Sequence, residues 1–293
     1  MTTVDKPRTR RRIRTPRPLA ALIDDVLRRA DADLAEDEAV HDLRVACRRL
    51  EAGTRVSQDV LRRSRLRDVR DAAKSIRRAF DQARDLEVIA GELGPIDGLT
   101  DRFRTAVREA SDKQAAGAQR RGRVGDAIKT LKQIREDLAD DAAPQRGALA
   151  AILHEHITAL FDELDRLLPE STDAAVHEVR IDVKKLRYEM EIGAPVFPRL
   201  RPQVKRLKRL QDILGRHQDS SVGLIWSEQL VDGAFASTVE DRTALMRYYA
   251  ALRREQRRRL RRLLGGWRTR DMRGRFQKAI GVPPSAGAAT VTI

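Results

Sequence analysis

Two segments of this chain carry the same pattern of histidine and basic residues. VHDLRVACRRL, at residues 40–50, returns as VHEVRIDVKKL at residues 176–186, an offset of 136 residues, with His matching His and basic residues matching basic residues. Guanidinium and ammonium groups donate hydrogen bonds to phosphate oxygens, and arginine does so with two parallel bonds. A chain that repeats such a segment is expected to present two copies of one anion-binding surface.

On an α-helix, each segment would divide into an apolar stripe and a basic ridge. At about 100° per residue, the apolar residues of each copy fall within about 80° of one another, and this stripe is expected to face the core. The basic ridge lies about 90° from it. Its members are His41, Arg44, Arg48 and Arg55 in the first copy and His177, Arg180 and Lys184 in the second. Arg49 and Lys185 point about 80° beyond the histidines and would reach a ligand only as long arms.

No other arrangement of residues predicts catalysis or metal binding. His154 and His156 lie two apart, which splays them on a helix. Residues 117–122 have the glycine spacing of a phosphate loop, but they lack the Lys and Ser/Thr that must follow it. Cys47, the only cysteine, lies on the apolar stripe and is predicted to be a core residue. We therefore predict a binding protein that is not an enzyme and uses no cofactor or metal.

A second repeat extends the pattern and indicates the fold. Residues 73–88 match residues 207–222 at an offset of 134, which pairs Lys74 with Lys208. Long segments rich in Ala, Leu and Arg favour helix. The expected fold is all-α, with two antiparallel four-helix bundles related by internal duplication. The predicted halves are residues 19–136 and 137–278, each with a fourth helix, near residues 100–116 and 241–264.

Charge is distributed unevenly along the chain. Of the net charge of +15, residues 1–18 carry +6 and residues 253–278 carry +10, so the remainder sums to −1. Within that remainder the basic residues concentrate in residues 44–84 and 180–216. Segregated charge focuses a field on one face and attracts polyanions. The basic arm at residues 1–18 and the tail at residues 279–293 are predicted to be disordered.

The doubled His-x-x-Arg-x-x-x-Arg/Lys-Arg/Lys-Leu pattern, with the later segments RDLEV and LQDILGRHQD, resembles the CHAD family, the conserved histidine α-helical domain. The resemblance covers about residues 19–264. It implies a pseudo-twofold axis between the bundles, with inorganic polyphosphate bound in a basic cleft between them. The ligands that it implies are His41, Arg44, Arg48, Arg49, Lys74, His177, Arg180, Lys184, Lys185 and Lys208, and less firmly His217, whose counterpart is Ala83. Arg55 and Lys205 complete the candidate set.

These observations predict noncatalytic binding of inorganic polyphosphate. Aromatic residues are only 4% of the chain, whereas binders of single-stranded nucleic acid usually present stacking rings. The Glu-x-Glu-x-Lys signature of a fused CYTH triphosphatase is absent, so that activity is not expected. No signal peptide or long apolar run occurs, so we expect a cytoplasmic protein, and the resemblance implies association with polyphosphate granules.

Several alternatives stay open at this point. A nucleic-acid-binding protein could hold the phosphate backbone through its basic tails, without reading sequence. A phosphohydrolase that uses the basic cleft is a weaker alternative. His41 and His177 are candidates for buried structural histidines as well as for ligands. Residues 253–275 fit a last helix that packs on the protein, which we favour, or an amphipathic helix on an anionic membrane.

Overall fold

A computed structural model of the chain describes residues 16–32, 37–80, 89–118, 123–140, 143–168, 171–230 and 234–281. Most of these residues are helical and none forms a β-strand, which confirms the all-α prediction. The helices are α1 Leu19–Ala30, α2 Asp37–Val56, α3 Arg63–Ala79, α4 Asp101–Ala118, α5 Arg123–Glu136, α6 Arg146–Arg166, α7 Asp173–Gly193, α8 Leu200–Gln229, α9 Val239–Thr269 and α10 Met272–Ile280. None of them is long and apolar enough to span a membrane.

Some of the predictions fall on residues outside this description. The arm is described only from residue 16 onward and the tail only up to residue 281. The RDLEV segment at residues 84–88, and most of the loop-like glycine segment at residues 117–122, also lie outside it. The predictions made for these residues therefore stay predictions.

The helices form two sets of packed neighbours that meet through α2. One set is α1, α2, α3 and α5, and the other is α6, α7, α8, α9 and α10. Because α2 also packs against α7 and α6, a single large hydrophobic cluster takes buried side chains from both sets, from Leu19 in α1 to Ile280 in α10. The internal duplication, its pseudo-twofold axis and the division into halves remain predictions.

The fourth helix of the first set differs from the predicted one. The helix expected near residues 100–116 exists as α4, but its Phe103 and Val107 are buried in a second, smaller cluster with Leu245 and Tyr249 of α9. α5 takes its place in the first set. Burial of Ala127, Leu131 and Ile134, which recur with helical spacing, explains why α5 packs there.

A buried carboxylate fixes α4 against α9. The backbone N–H of Thr100 donates to Asp241 at 2.7 Å, and the Thr100 hydroxyl lies 3.1 Å from the same carboxylate. Asp241 also caps α9 together with Thr238, whose hydroxyl accepts a hydrogen bond from the Asp241 N–H at 3.1 Å. One side chain therefore sets the start of two helices that are far apart in sequence.

Two long helices, α8 and α9, pack side by side. They contain 30 and 31 residues, so each is about 45 Å long. The last part of α9 buries Leu260 and Leu264 in the large cluster, while Arg258, Arg261 and Arg262 are exposed. This arginine-rich segment therefore packs on the protein, as favoured from the sequence.

Candidate functional site

A cleft of about 720 Å³ lies among α2, α3 and α7. Its lining residues are Arg48, Glu51, Ala52, Arg55, Arg70, Lys74, Arg77, His177, Arg180, Ile181, Lys184, Lys185 and Tyr188. Glu51 is the one carboxylate among them. The cleft therefore concentrates positive charge from three helices around a space large enough for a small or linear anion.

Helix α2 supplies two arginines to the cleft from the side opposite its buried stripe. Leu43, Cys47 and Leu50 are fully buried, whereas Arg48 and Arg55, seven residues apart, line the cleft. The Nε atom of Arg55 lies 2.8 Å from Oε1 of Glu189, a carboxylate with no exposed surface. This ion pair holds Arg55 in position between α2 and α7.

Helix α3 supplies Arg70, Lys74 and Arg77, which lie on one face because they are four and three residues apart. The adjacent face carries Val69, Ala73 and Ile76, which are fully buried. Arg77 donates to Glu51 at 2.9 Å, so part of its charge is already compensated. This spacing was visible in the sequence, but comparison of the repeats selected only Lys74.

Helix α7 supplies the largest group of lining residues. Burial, together with the positive charges of Arg180 and Arg48, lowers the pKa of Lys184 from 10.5 to about 7. In the absence of a ligand, the lowered pKa therefore favours the uncharged amine of Lys184 more than that of an ordinary exposed lysine. Nδ1 of His177 lies 2.8 Å from Oε1 of Gln218, an acceptor, which leaves Nε2 as the nitrogen available to a ligand.

The structure brings together seven of the predicted ligands. These are Arg48, Arg55, Lys74, His177, Arg180, Lys184 and Lys185. The other six, His41, Arg44, Arg49, Lys205, Lys208 and His217, do not line the cleft. His41, Lys205 and Lys208 are exposed on α2 and α8.

The other three predicted ligands outside the cleft, Arg44, Arg49 and His217, are held elsewhere by contacts with the protein. Arg44 is buried and donates to the carbonyl of Phe80 at 2.6 Å, at the end of α3. Nε of Arg49 lies 3.6 Å from the carboxylate of Glu191. His217 has no exposed surface, and it accepts a hydrogen bond from Nε of Arg257 at 3.2 Å.

His217 belongs to a buried polar cluster that joins α7, α8 and α9. Burial lowers its pKa, which favours the neutral ring that accepts from Arg257. Asp173 accepts hydrogen bonds from Arg257 at 2.6 Å and from the Ser221 hydroxyl at 3.0 Å. Burial would raise the pKa of Asp173, but the hydrogen bonds from Arg253 and Arg257 outweigh it, and the pKa lies below its ordinary value. These contacts are typical of a structural cluster.

The described residues contain no group of three or more His, Cys, Asp or Glu side chains that could hold a metal ion. The cleft lining consists mainly of hydrogen-bond donors. Its chemistry is therefore that of an anion receptor.

Comparison with known proteins identifies similar folds. The model of a family described as the CHAD domain matches residues 18–228. The crystal structure of the CHAD domain from the plant Ricinus communis superposes with a TM-score of 0.64 and 19% identity, covering 86% of this chain and 93% of that one. PptA from Streptomyces chartreusis gives a TM-score of 0.60 and 19% identity, with coverage of 85% and 96%. No curated protein matches the chain.

Proposed function

The chain belongs to the CHAD domain family, and on that premise we propose that it binds inorganic polyphosphate in the cleft among α2, α3 and α7. The family is linked with polyphosphate. The observation that carries the proposal is that Arg and Lys side chains from three helices line one cleft, with a single carboxylate among its described lining residues. A linear polyphosphate offers charged oxygens along its whole length, and a row of such donors suits it.

The aromatic content of the cleft favours a ligand without bases. Tyr188 is the only aromatic residue in the lining, and 5% of its surface is exposed. The guanidinium of Arg187 lies 4.0 Å from the centre of the Tyr188 ring. Stacking of a nucleobase needs an open ring face, which this residue does not offer.

We propose further that the protein holds the polymer without hydrolysing it, and that it associates with polyphosphate granules. The lining residues donate hydrogen bonds, and Glu51 already accepts one from Arg77. Incubation of the protein with polyphosphate and Mg²⁺ should release no orthophosphate above the background of the Arg48→Ala/Arg180→Ala variant. Steady release that the double variant abolishes would contradict the noncatalytic role.

The binding proposal is tested by competition titration at fixed salt. Long-chain polyphosphate competes with single-stranded RNA and duplex DNA for the intact chain, for Arg48→Ala/Arg180→Ala, and for a control, Arg258→Ala/Arg262→Ala. The control removes the same charge from two exposed arginines of α9, outside the cleft. We expect tight polyphosphate binding that only the cleft variant loses. Binding that survives the cleft variant would overturn the proposal.

Nucleic-acid binding is the second candidate function, and the arginines of α9 favour it. Arg254, Arg258, Arg261 and Arg262 are exposed and lie outside the cleft. Backbone binding through such a surface is independent of sequence and weakens with salt. In the same titration, this function predicts that Arg258→Ala/Arg262→Ala loses binding to RNA and DNA, and that Arg48→Ala/Arg180→Ala retains it.

A further inference from the structure

A second, smaller pocket of about 240 Å³ adjoins the cleft where α2 ends and α3 begins. Its lining residues are Thr54, Arg55, Gln58, Arg63, Leu66, Arg67 and Arg70. Arg55 and Arg70 line both spaces, so the two adjoin each other along α3. Among the residues that the structure describes, no carboxylate lines this second pocket. It is therefore basic like the cleft, but it lacks a counterpart of Glu51.

The arginines of the second pocket belong to one ridge on α3. Its members are Arg63, Arg67, Arg70, Lys74 and Arg77, at alternating spacings of four and three residues. Such spacing keeps side chains on one face of a helix. At 1.5 Å per residue the ridge is about 21 Å long. A helix that is packed on the core presents these charges as a fixed line.

The start of this ridge differs from its far end in ion pairing. Arg63, Arg67 and Arg70 are exposed, and none forms an ion pair within the part of the chain that the structure describes. By contrast, Arg65 on another face of α3 lies 3.0 Å from Asp137, and Arg77 at the far end of the ridge is paired with Glu51. Uncompensated cations at this spacing repel one another, and a bound polyanion relieves that repulsion.

We propose that the second pocket is an additional subsite, in which Arg63 and Arg67 bind the continuation of a phosphate polymer that already occupies the cleft. This inference rests on the proposed function. It makes affinity depend on chain length, because a short polyphosphate fits within the cleft, whereas a long one also reaches Arg63 and Arg67. Arg55 and Arg70 provide the connection between the two spaces.

The test compares tripolyphosphate with long-chain polyphosphate. For Arg63→Ala/Arg67→Ala we expect the affinity for the long chain to fall about tenfold and that for tripolyphosphate to stay unchanged. The slope of log affinity against log salt for the long chain should fall by about two. A control, Arg65→Ala/Arg258→Ala, removes the same charge outside both pockets and should leave both affinities unchanged.

The outcomes separate this inference from the proposed function. An unchanged affinity of Arg63→Ala/Arg67→Ala for the long chain, or an equal loss for both ligands, would overturn the subsite. Arg48→Ala/Arg180→Ala should lower the affinity for both tripolyphosphate and long-chain polyphosphate. If it lowers neither affinity, the cleft itself is not the binding site. Since Arg63 and Arg67 are exposed, the thermal melting of the variant by circular dichroism should match that of the intact chain.

Discussion

Lys184 lies among positive neighbours in a partly buried position, and its pKa of about 7 makes its charge depend on the ligand. Burial is the largest cause of the lowered pKa. The positive charges of Arg180, Arg48 and Arg187 lower it further, while Asp219 raises it. A bound polyanion favours the ammonium form. In the free protein the lowered pKa favours loss of that proton above pH 7, so we expect binding in this range to take up a proton.

We therefore predict that polyphosphate affinity falls as the pH rises from about 7 to 9. Isothermal titration in buffers of different ionisation enthalpy, above the range where histidines titrate, should show proton uptake. Lys184→Arg keeps the charge at every pH, so it should bind without proton uptake and with a nearly constant affinity. Proton uptake of the same size in Lys184→Arg would assign the effect to another group.

Glu51 opposes the ligand, because it brings a negative charge into the cleft and engages Arg77 at 2.9 Å. Glu51→Gln removes that charge and with it the ion pair to Arg77. We predict a severalfold gain in polyphosphate affinity, measured by competition titration at moderate salt. Glu191→Gln is the control, since Glu191 pairs with Arg187 and Arg49 and does not line the cleft. An equal gain in both variants would indicate an effect of net charge alone.

The repeated motif shows which part of the site can be predicted from single residues. Arg44 and Arg180 hold the same position in the two copies, yet Arg180 lines the cleft and Arg44 is buried against the Phe80 carbonyl. That carbonyl lies 36 residues away in the sequence. No local pattern indicates where it lies, so identical motif positions acquire different roles through contacts that form only on folding.

At the scale of elements, the contact between α8 and α9 depends on one glycine. A methyl group added at Gly223 would overlap the ring of Tyr249, which is fully buried in the smaller cluster. We predict that Gly223→Ala destabilises the protein by about 1–3 kcal/mol, because the helices must separate. Urea denaturation followed by circular dichroism measures this.

Gly265 of α9 provides the matched control for that substitution. Nothing lies within 4 Å of an added methyl group there, and the residue is inside a helix. Gly265→Ala should therefore stabilise by about 0.5–1 kcal/mol. Destabilisation by both substitutions would mean that steric overlap with Tyr249 is not the cause of the Gly223 effect.

Helix existence was easier to predict than helix partnership. The sequence predicts a fourth helix near residues 100–116, and α4 is there. Its partner could not be inferred, because Phe103 and Val107 are compatible with any apolar surface, and the contact to Tyr249 joins residues far apart in sequence. The basic ridge of α3 was readable from its spacing. Its other members do not emerge from the repeat comparison, because only residues that match between the two copies do.

At the scale of the whole molecule, the cleft brings together like charges from both sets of helices. α2 and α3 belong to one set and α7 to the other, and one hydrophobic cluster joins them. A ligand that binds only the folded arrangement stabilises it by mass action. Ligand binding in the cleft is therefore expected to stabilise the contact between the two sets of helices.

We predict that polyphosphate at about one hundred times its dissociation constant raises the free energy of unfolding by about 2.7 kcal/mol. Differential scanning calorimetry should show a higher Tm for the intact chain and no shift for Arg48→Ala/Arg180→Ala. Tripolyphosphate at the same multiple of its own dissociation constant should give the same shift. A rise in Tm of equal size in the cleft variant would indicate nonspecific stabilisation.

Cys47 gives the protein an internal reporter of opening. Its side chain has no exposed surface, and burial raises the pKa of the thiol to about 12, so it is almost entirely unreactive in the folded state. It is also the only cysteine and precedes Arg48 in the chain. The rate at which a thiol reagent labels Cys47 therefore measures how often α2, which lines the cleft, separates from the core. The unmodified chain therefore allows the rate of local opening to be compared with and without polymer, because no engineered label is needed.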